Sequence, residues 1–141
     1  MSEEMKTIAK YRLDRANESF RTTKVLLSHD LHAAANRLYY AVFSALRAVL
    51  ALDGIDFKKH SAVISYFREH YIKTEIFDKE YSLFIGSASQ IRTESDYADL
   101  YEPDYHELLD MANELGEFIA CIEKYVSEQL ELQAEDCSNE N

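Results

Sequence analysis

Two short segments of the sequence carry side chains whose types and spacing could do chemistry. One is Arg92-Thr-Glu-Ser-Asp96-Tyr97, and the other runs from Asn36-Arg37 through Tyr39-Tyr40 to Phe43. An arginine supplies a permanent positive charge suited to a phosphate, and a tyrosine hydroxyl can donate a proton. His60 joins the candidates because an imidazole titrates near neutral pH and folding can bring it close to the other residues.

Both segments also have a purely structural interpretation. Arg92 and Asp96 are four residues apart, so on a helix they can form an ion pair worth only tenths of a kcal/mol. Asn36 and Arg37 can hydrogen-bond the end of the helix that carries Arg92, instead of contacting a ligand directly. The sequence leaves both alternatives open.

Helices must position these residues, and the clearest one is Leu31–Leu52. It lacks Gly and Pro and is mostly Ala, Leu, Val, Tyr and Phe, which predicts a helix of roughly six turns. Asp30 stands at the N-cap position, and Asp53-Gly54 stands where a helix should end. The polar residues repeat at helical spacing and form one narrow stripe, made of His32, Asn36, Tyr40, Ser44 and Arg47 with Arg37 at its edge. A helix that is apolar elsewhere belongs in the middle of a bundle.

Four further helices are predicted around this central one. The first runs from about Lys6 to Ser28, and a short one runs from His60 to Tyr71. Another begins near Asp78 and carries Arg92 to Tyr97 at its far end. The last begins after Pro103, which is tolerated only in a first helical turn, and its apolar repeat extends to Leu130. With only 3 Gly and 1 Pro in the chain, the sequence predicts an all-α fold.

The domain organisation is predicted to be simple. Residues 1–133 are expected to form one domain, and the polar residues 134–141 a C-terminal tail that frays. No apolar run is long enough to span a bilayer, and the acidic N-terminus does not suit a signal peptide, so a cytoplasmic protein without membrane contact is expected. Neither Cys121 nor Cys137 indicates a disulfide framework, and His29 and His32 lack a third metal ligand nearby, so neither metal nor cofactor is expected.

The net charge of −11 is unevenly distributed. Residues 1–60 carry ten Lys and Arg against seven Asp and Glu, whereas residues 61–141 carry five against nineteen. Nucleic acid is repelled by an acidic protein at long range. RNA binding would therefore need a local basic patch or the help of a partner.

The two motifs, the helix lengths, the Lys59-His60 pair and the entry Ala33-Ala34-Ala35 resemble the HEPN superfamily. The chain is similar to small stand-alone members with an NRxYYAxF helix and an RxxxDY motif, over roughly residues 6–130. The resemblance implies an up-and-down bundle of four main helices plus one short helix, paired as a homodimer. It also implies metal-independent RNA cleavage at the dimer cleft by an Arg and a His that are separated by four to six intervening residues.

The resemblance further implies a toxin-like role in a two-gene toxin–antitoxin system whose antitoxin is a small nucleotidyltransferase. In some such pairs the partner attaches nucleotides to a tyrosine near the motif, for which Tyr97 and Tyr101 are the candidates here. This sequence departs from the pattern, because Tyr97 stands where the family has its catalytic His and the next histidine, His106, lies beyond Pro103. Whether the chain is an enzyme is therefore left open.

Two functional hypotheses remain. In the first, Arg92 binds phosphate with Asp96, Tyr97 and His60 as catalytic candidates, while Asn36, Arg37 and Tyr40 bind RNA or a nucleotide. Metal-free cleavage needs a base, an acid and a cation; Tyr97 is a poor base at an ordinary pKa near ~10, but His60 titrates in the useful range. In the second, the same cleft is a non-catalytic module that binds a nucleotide or docks a partner. A purely structural dimer is the weakest alternative, since a polar stripe on a central helix is costly unless it is used or satisfied.

Overall fold

Five α-helices follow one another along the chain in the computed structural model, which describes residues 2–97 and 100–139, the last four of these as backbone only. They are α1 (Glu3–Leu26), α2 (Leu31–Leu52), α3 (His60–Phe67), α4 (Glu80–Tyr97) and α5 (Tyr105–Asn139), and a π-helical turn at Arg68–Ile72 extends α3. No strand occurs in these described ranges. The all-α prediction is confirmed.

The central helix α2 begins and ends where the sequence predicts. The Asp30 side chain accepts a hydrogen bond from the Ala33 amide at 3.1 Å, which satisfies a free donor of the first turn. Gly54 adopts a φ of +69° just past the other end, a conformation that glycine tolerates best. Local capping chemistry therefore fixes both ends of the helix.

Helix α2 also forms the core of the bundle, packed against α1, α3, α4 and α5. Fourteen of its 22 residues are buried. Beyond its first turn, the residues that keep solvent exposure are those of the predicted polar stripe, Asn36, Arg37, Tyr40, Ser44 and Arg47. Beyond the first turn, α2 is therefore exposed to solvent only along this stripe.

Two helices differ from the sequence prediction. The short helix is α-helical only to Phe67, and the wider π-helical turn that follows places Arg68 against α4 and Tyr71 against the end of α2. The backbone of α5 is helical to Asn139, within the segment expected to be a polar tail, and the fraying of that tail stays a prediction. Each residue added to an already formed helix gains one backbone hydrogen bond, and Ala, Glu and Gln favour the helix.

Aspartates cap the N-terminal ends of α4 and α5. Asp78 accepts a hydrogen bond from the Glu80 amide, and Asp104, next to Pro103, accepts one from the Glu107 amide, both at 2.9 Å.

None of the described helices has the length and apolarity needed to cross a bilayer.

Candidate functional site

Arg92 on α4 packs its guanidinium against two tyrosines of α2. Its Cζ atom lies 5.0 Å from the ring centre of Tyr39 and 5.6 Å from that of Tyr40, close enough for cation–π attraction. Its Nε atom lies 3.2 Å from Oδ2 of Asp96, a distance suited to an ion pair. The Nε atom is buried and not oriented for a hydrogen bond to that carboxylate. The ion pair anticipated from the i, i+4 spacing is therefore present, in addition to the aromatic contacts.

His60 opens α3 and faces the same aromatic residues. Its Nδ1 atom lies 2.9 Å from the Tyr39 hydroxyl, and its ring stacks on Phe43 at a centre distance of 4.0 Å. It also meets Tyr40 edge to face at 6.1 Å. Burial lowers the pKa of His60, and the charges of Arg92 and Arg47 lower it further. The imidazole is accordingly neutral at pH 7.

Tyr39 links Arg92 to His60. Burial raises the pKa of its hydroxyl, and the neighbouring Tyr40 adds to the rise, while the charge of Arg92 opposes it. The hydroxyl therefore keeps its proton at neutral pH. A tyrosine hydroxyl both donates and accepts hydrogen bonds, so Tyr39 can pair with either neutral tautomer of His60.

A second cationic cluster lines a groove that also includes His60. Arg47 of α2 makes a two-pronged contact with Asp56, through Nε at 3.2 Å and Nη2 at 2.9 Å. Arg12 of α1 donates to the same carboxylate at 3.2 Å and to the Arg47 carbonyl at 3.0 Å. The cluster thus ties α1, α2 and the loop before α3 together.

The pKa values within this cluster shift for identifiable reasons. Burial alone would raise the pKa of Asp56, but the hydrogen bond and charge of Arg47, the charge of Arg12 and the Phe57 amide bring it below its ordinary value. Burial and the charge of Arg47 lower the pKa of Arg12, and Asp56 partly offsets that effect. Arg12 remains charged at neutral pH because the ordinary pKa of an arginine lies far above neutrality.

Asn36 and Arg37 lie next to Tyr40 on the exposed stripe. Arg37 donates to the Asn36 amide oxygen at 3.3 Å, and its Cζ atom lies 5.0 Å from the Tyr40 ring centre. The end of α4 is bonded by a different residue of the stripe, since Nδ1 of His32 lies 2.9 Å from the Ser95 hydroxyl. The alternative in which Asn36 and Arg37 bond the end of α4 is therefore not what the structure shows.

Two shallow grooves meet at His60. The α1 groove has a volume of about 510 Å³ and is lined by Tyr11, Arg12, Arg15, Tyr40, Arg47 and His60, among others. The α4 groove has a volume of about 390 Å³ and is lined by Tyr39, His60, Ser61, Arg68, Ser89 and Arg92, among others. Both volumes fall within the range of ligand sites. Arginines and aromatic rings on either side of a neutral imidazole suit a phosphate-bearing ligand.

Comparison with known proteins gives the family. The model of the HEPN domain matches residues 2–126. The chain belongs to the HEPN family. It is 34% identical over 126 residues to a Thermotoga maritima protein named "UPF0332 protein", across 89% of this chain and 96% of the relative.

Two Methanocaldococcus jannaschii proteins named "Putative toxin" are also similar to this HEPN protein. One is 31% identical over 86 residues, which is 60% of this chain and 58% of the relative. The other is 27% identical over 119 residues, which is 84% of this chain and 88% of the relative. These names describe the relatives.

The structure groups most of the sequence-predicted site residues of this HEPN protein and separates one from them. Arg92, Asp96, Asn36, Arg37, Tyr40 and His60 form one connected set around the Tyr39 and Tyr40 rings. Tyr97, at the family's His position, is 73% exposed, and none of its contacts among the described residues joins it to Arg92 or His60. Tyr101 is partly buried; burial and the carboxylates of Glu107 and Glu94 raise its pKa, and it hydrogen-bonds Glu94.

Sequence reasoning missed the arginines that come from other helices. Arg12 lies on α1 and Arg68 on the π-helical turn after α3, both outside the two motifs that the sequence singles out. Arg68 donates to the Ser82 hydroxyl and carbonyl at 3.0 and 3.1 Å, which fixes its position in the α4 groove. One signal in the sequence points to the cluster: only two acids, Asp53 and Asp56, stand between Arg47 and Lys58.

Potential metal ligands are numerous in this HEPN protein but are not clustered in the part of the chain whose side chains the structure describes. Within residues 2–97 and 100–135, whose side chains the structure describes, no group of three His, Cys, Asp or Glu residues is arranged to hold a metal ion. Cys121 is a partly buried free thiol. The predicted tail residue Cys137 falls among those whose side chains the structure does not describe.

Proposed function

We propose that this HEPN protein is a toxin-like, RNA-directed protein that holds an RNA phosphate at Arg92 and cleaves the strand without a metal ion. The observation that carries the proposal is the link through Tyr39, which contacts the Arg92 guanidinium with its ring and Nδ1 of His60 with its hydroxyl. A cation and a neutral imidazole are thereby held side by side. The names of the two Methanocaldococcus relatives support the toxin-like part.

The proposed reaction is a transesterification within the RNA strand. The ribose 2′-oxygen forms a bond to the adjacent phosphorus as the bond from phosphorus to the 5′-oxygen breaks. His60 takes the 2′-hydroxyl proton at Nε2 while its Nδ1–H donates to the Tyr39 oxygen. Arg92 stabilises the charge that develops on the phosphate oxygens.

The leaving 5′-oxygen takes its proton from the partly exposed hydroxyl of Tyr40, whose ring adjoins both Arg92 and His60. Solvent then carries the proton gained by His60 back to Tyr40. The products are a 2′,3′-cyclic phosphate and a 5′-hydroxyl end. The reaction therefore balances without an oxidant, a cofactor or a further reactant. In this scheme Tyr97 does not take the role of the family's His.

The proposal includes the partners that the family resemblance implies. The protein acts as a homodimer, and a nucleotidyltransferase acts as its antitoxin. Tyr97 is a better acceptor for a nucleotide attached by that partner than Tyr101, because it is 73% exposed whereas Tyr101 is partly buried and bonded to Glu94. Modification there would add negative charge one helical turn beyond Arg92.

The competing function is a HEPN module that binds a nucleotide or a partner without cleaving RNA. The observation in its favour is the tyrosine at position 97, where the family's catalytic histidine is expected. The ion pair between Arg92 and Asp96 also suits a binding role, because it leaves the guanidinium in place whether or not chemistry follows.

Expression of the protein alone, followed by assay of the purified protein, separates the two functions. The first function predicts growth arrest and cleavage of a tRNA and mRNA pool in EDTA, both lost in Arg92→Ala. Arg21→Ala is the matched control, because it removes an exposed arginine of α1 that lines neither groove. Healthy growth and an intact RNA pool, with binding that depends on Arg92, would favour the module. Co-expression with a nucleotidyltransferase encoded beside this gene tests the antitoxin.

A further inference from the structure

The α1 groove contains arginines that the chemistry at Arg92 does not use. Arg12, Arg15 and Arg47 line it, and no acidic side chain is among its lining residues in the described part of the chain. The protein as a whole carries a net charge of −11. Three arginines in one groove of so acidic a chain form the local basic patch that RNA binding needs.

Two of these arginines are held in place by a neighbouring carboxylate. Asp56 bridges Arg12 and Arg47 from outside the groove lining, and their side chains keep only 15% and 33% exposure. Arg15 is freer, with 48% exposure and a single ion pair to Glu18 one turn away. The groove therefore combines two positioned guanidiniums with one that can adapt. Three arginines against the two carboxylates of Asp56 and Glu18 leave a local excess of one positive charge.

An exposed aromatic ring stands at the edge of the same groove. Tyr11 lines it and is 63% exposed. A single exposed tyrosine is ordinary, but this one shares a groove with three arginines and with the partly exposed ring of Tyr40. Aromatic rings interleaved with arginines are the typical platform for unpaired bases, since every base has a face that can stack.

The α1 groove is also continuous with the proposed reaction site. His60 lines both grooves, and the Tyr40 ring contacts His60 on one side and Arg92 on the other. A strand whose phosphate lies at Arg92 thus has a path across His60 into the α1 groove. Duplex RNA does not suit this path, because its bases are paired and cannot stack on a protein ring.

We propose that the α1 groove binds the unpaired nucleotides adjoining the phosphate held at Arg92. Tyr11 stacks on a base, and Arg15, with Arg12 and Arg47, contacts the next phosphates. This inference rests on the proposed function and narrows its substrate to single-stranded RNA at least several nucleotides long. It makes Tyr11 and Arg15 binding residues that lie away from the reacting bond.

The test is fluorescence anisotropy with a labelled 12-nucleotide single strand and with the same strand in a duplex, in EDTA at fixed salt. The 2′-O-methyl form of the strand is used so that it cannot be cleaved. Tyr11→Ala should weaken single-strand binding by about ten-fold, and Tyr11→Phe should leave it near wild type, because stacking needs only the ring. Arg15→Ala should weaken binding and reduce its salt dependence, whereas Arg21→Ala should change it less than two-fold.

The outcomes distinguish this inference from the function on which it rests. If Arg92→Ala weakens binding but Tyr11→Ala and Arg15→Ala match Arg21→Ala, the groove proposal is overturned and the Arg92 site stands. The groove proposal would also be overturned if Tyr11→Ala and Arg15→Ala weakened binding to the single strand and to the duplex equally. The groove would then contact only the phosphate backbone. No binding by the wild type would overturn the proposed function itself. Circular dichroism of Tyr11→Ala checks folding, which the exposure of this side chain should preserve.

Discussion

The Tyr39 hydroxyl lies 2.9 Å from Nδ1 of His60, and this contact joins α2 to the first residue of α3. It holds the imidazole near Arg92 and Arg47, whose charges add to the lowering of its pKa by burial. At a pH near 6.5, where an ordinary histidine is partly charged, His60 is therefore more fully neutral. The proposed cleavage depends on this placement of His60.

The first prediction concerns the titration of His60. Burial and the charges of Arg92 and Arg47 lower its pKa, so NMR should find it below the ordinary value of about 6.5. Arg92→Ala removes one of those charges and should raise the pKa, whereas Arg21→Ala should not. A His60 pKa that is the same in wild type and Arg92→Ala would show that the two groups do not interact.

The same shift fixes the sign of the pH effects. Because the unfolded chain binds a proton at His60 more readily than the folded one, the His60 contribution to stability falls as pH drops below about 6.5. Cleavage requires the neutral imidazole, so its rate should rise with pH through the lowered pKa of His60 and level off before neutrality. A rate that continued to rise well above pH 7 would point to a different base.

The second prediction concerns Tyr39→Phe. The change keeps the ring against Arg92 but removes the partner of Nδ1, so His60 should populate both neutral tautomers, visible in its ¹⁵N shifts. Cleavage should fall about ten-fold with little change in RNA affinity, because Tyr39 positions the imidazole and does not touch the substrate. Loss of the hydrogen bond should lower the free energy of unfolding by about 1 kcal/mol. Equal losses in binding and cleavage would instead indicate a general packing defect.

Much of the fold follows from local sequence. The Ala- and Leu-rich run, Asp30 and Gly54 define α2, and its polar stripe emerges at the surface as its helical spacing predicts. The ion pair of Arg92 with Asp96 follows from the i, i+4 spacing for the same reason. These features depend on residues within one or two turns of each other.

The rest of the site depends on tertiary packing, which spacing does not encode. Arg12 reaches Asp56 across 44 positions of sequence, and Tyr39 reaches His60 across 21. The sequence pattern placed Tyr97 beside Arg92 because it follows Asp96, yet its side chain points to solvent with 73% exposure. The sequence motifs therefore identify α2 and α4 as the helices that carry the site, but they do not show that His60, and not Tyr97, lies beside Arg92.

The third prediction separates the two interpretations of Arg92. Asp96→Asn removes the carboxylate beside it, so RNA should bind more tightly, by up to about three-fold. The free energy of unfolding should change by only tenths of a kcal/mol, as for other i, i+4 pairs. Glu128→Gln, an exposed position on α5, controls for the change in net charge. If neither Asp96→Asn nor Arg92→Ala alters RNA affinity, the pair is structural.

The fourth prediction concerns acid stability. Arg47 and Arg12 bring the pKa of Asp56 below its ordinary value, so its stabilising contribution is complete above about pH 4 and is lost as pH falls through the lowered pKa. Urea unfolding should show that Asp56→Asn costs about 1 kcal/mol at pH 7, in line with a half-exposed ion pair, and less at pH 3. A cost that does not depend on pH would mean that the carboxylate charge is not what matters.

The central claim is that His60, and not the residue at the family's histidine position, serves the chemistry at Arg92. The most direct measurement compares single-turnover cleavage of an RNA oligonucleotide in EDTA by wild type, His60→Gln and Tyr97→Phe, with the product ends identified. The account predicts 2′,3′-cyclic phosphate ends, a loss of at least about 100-fold in His60→Gln with affinity retained, and near-normal cleavage by Tyr97→Phe. Cleavage that survives His60→Gln but is lost in Tyr97→Phe would contradict it.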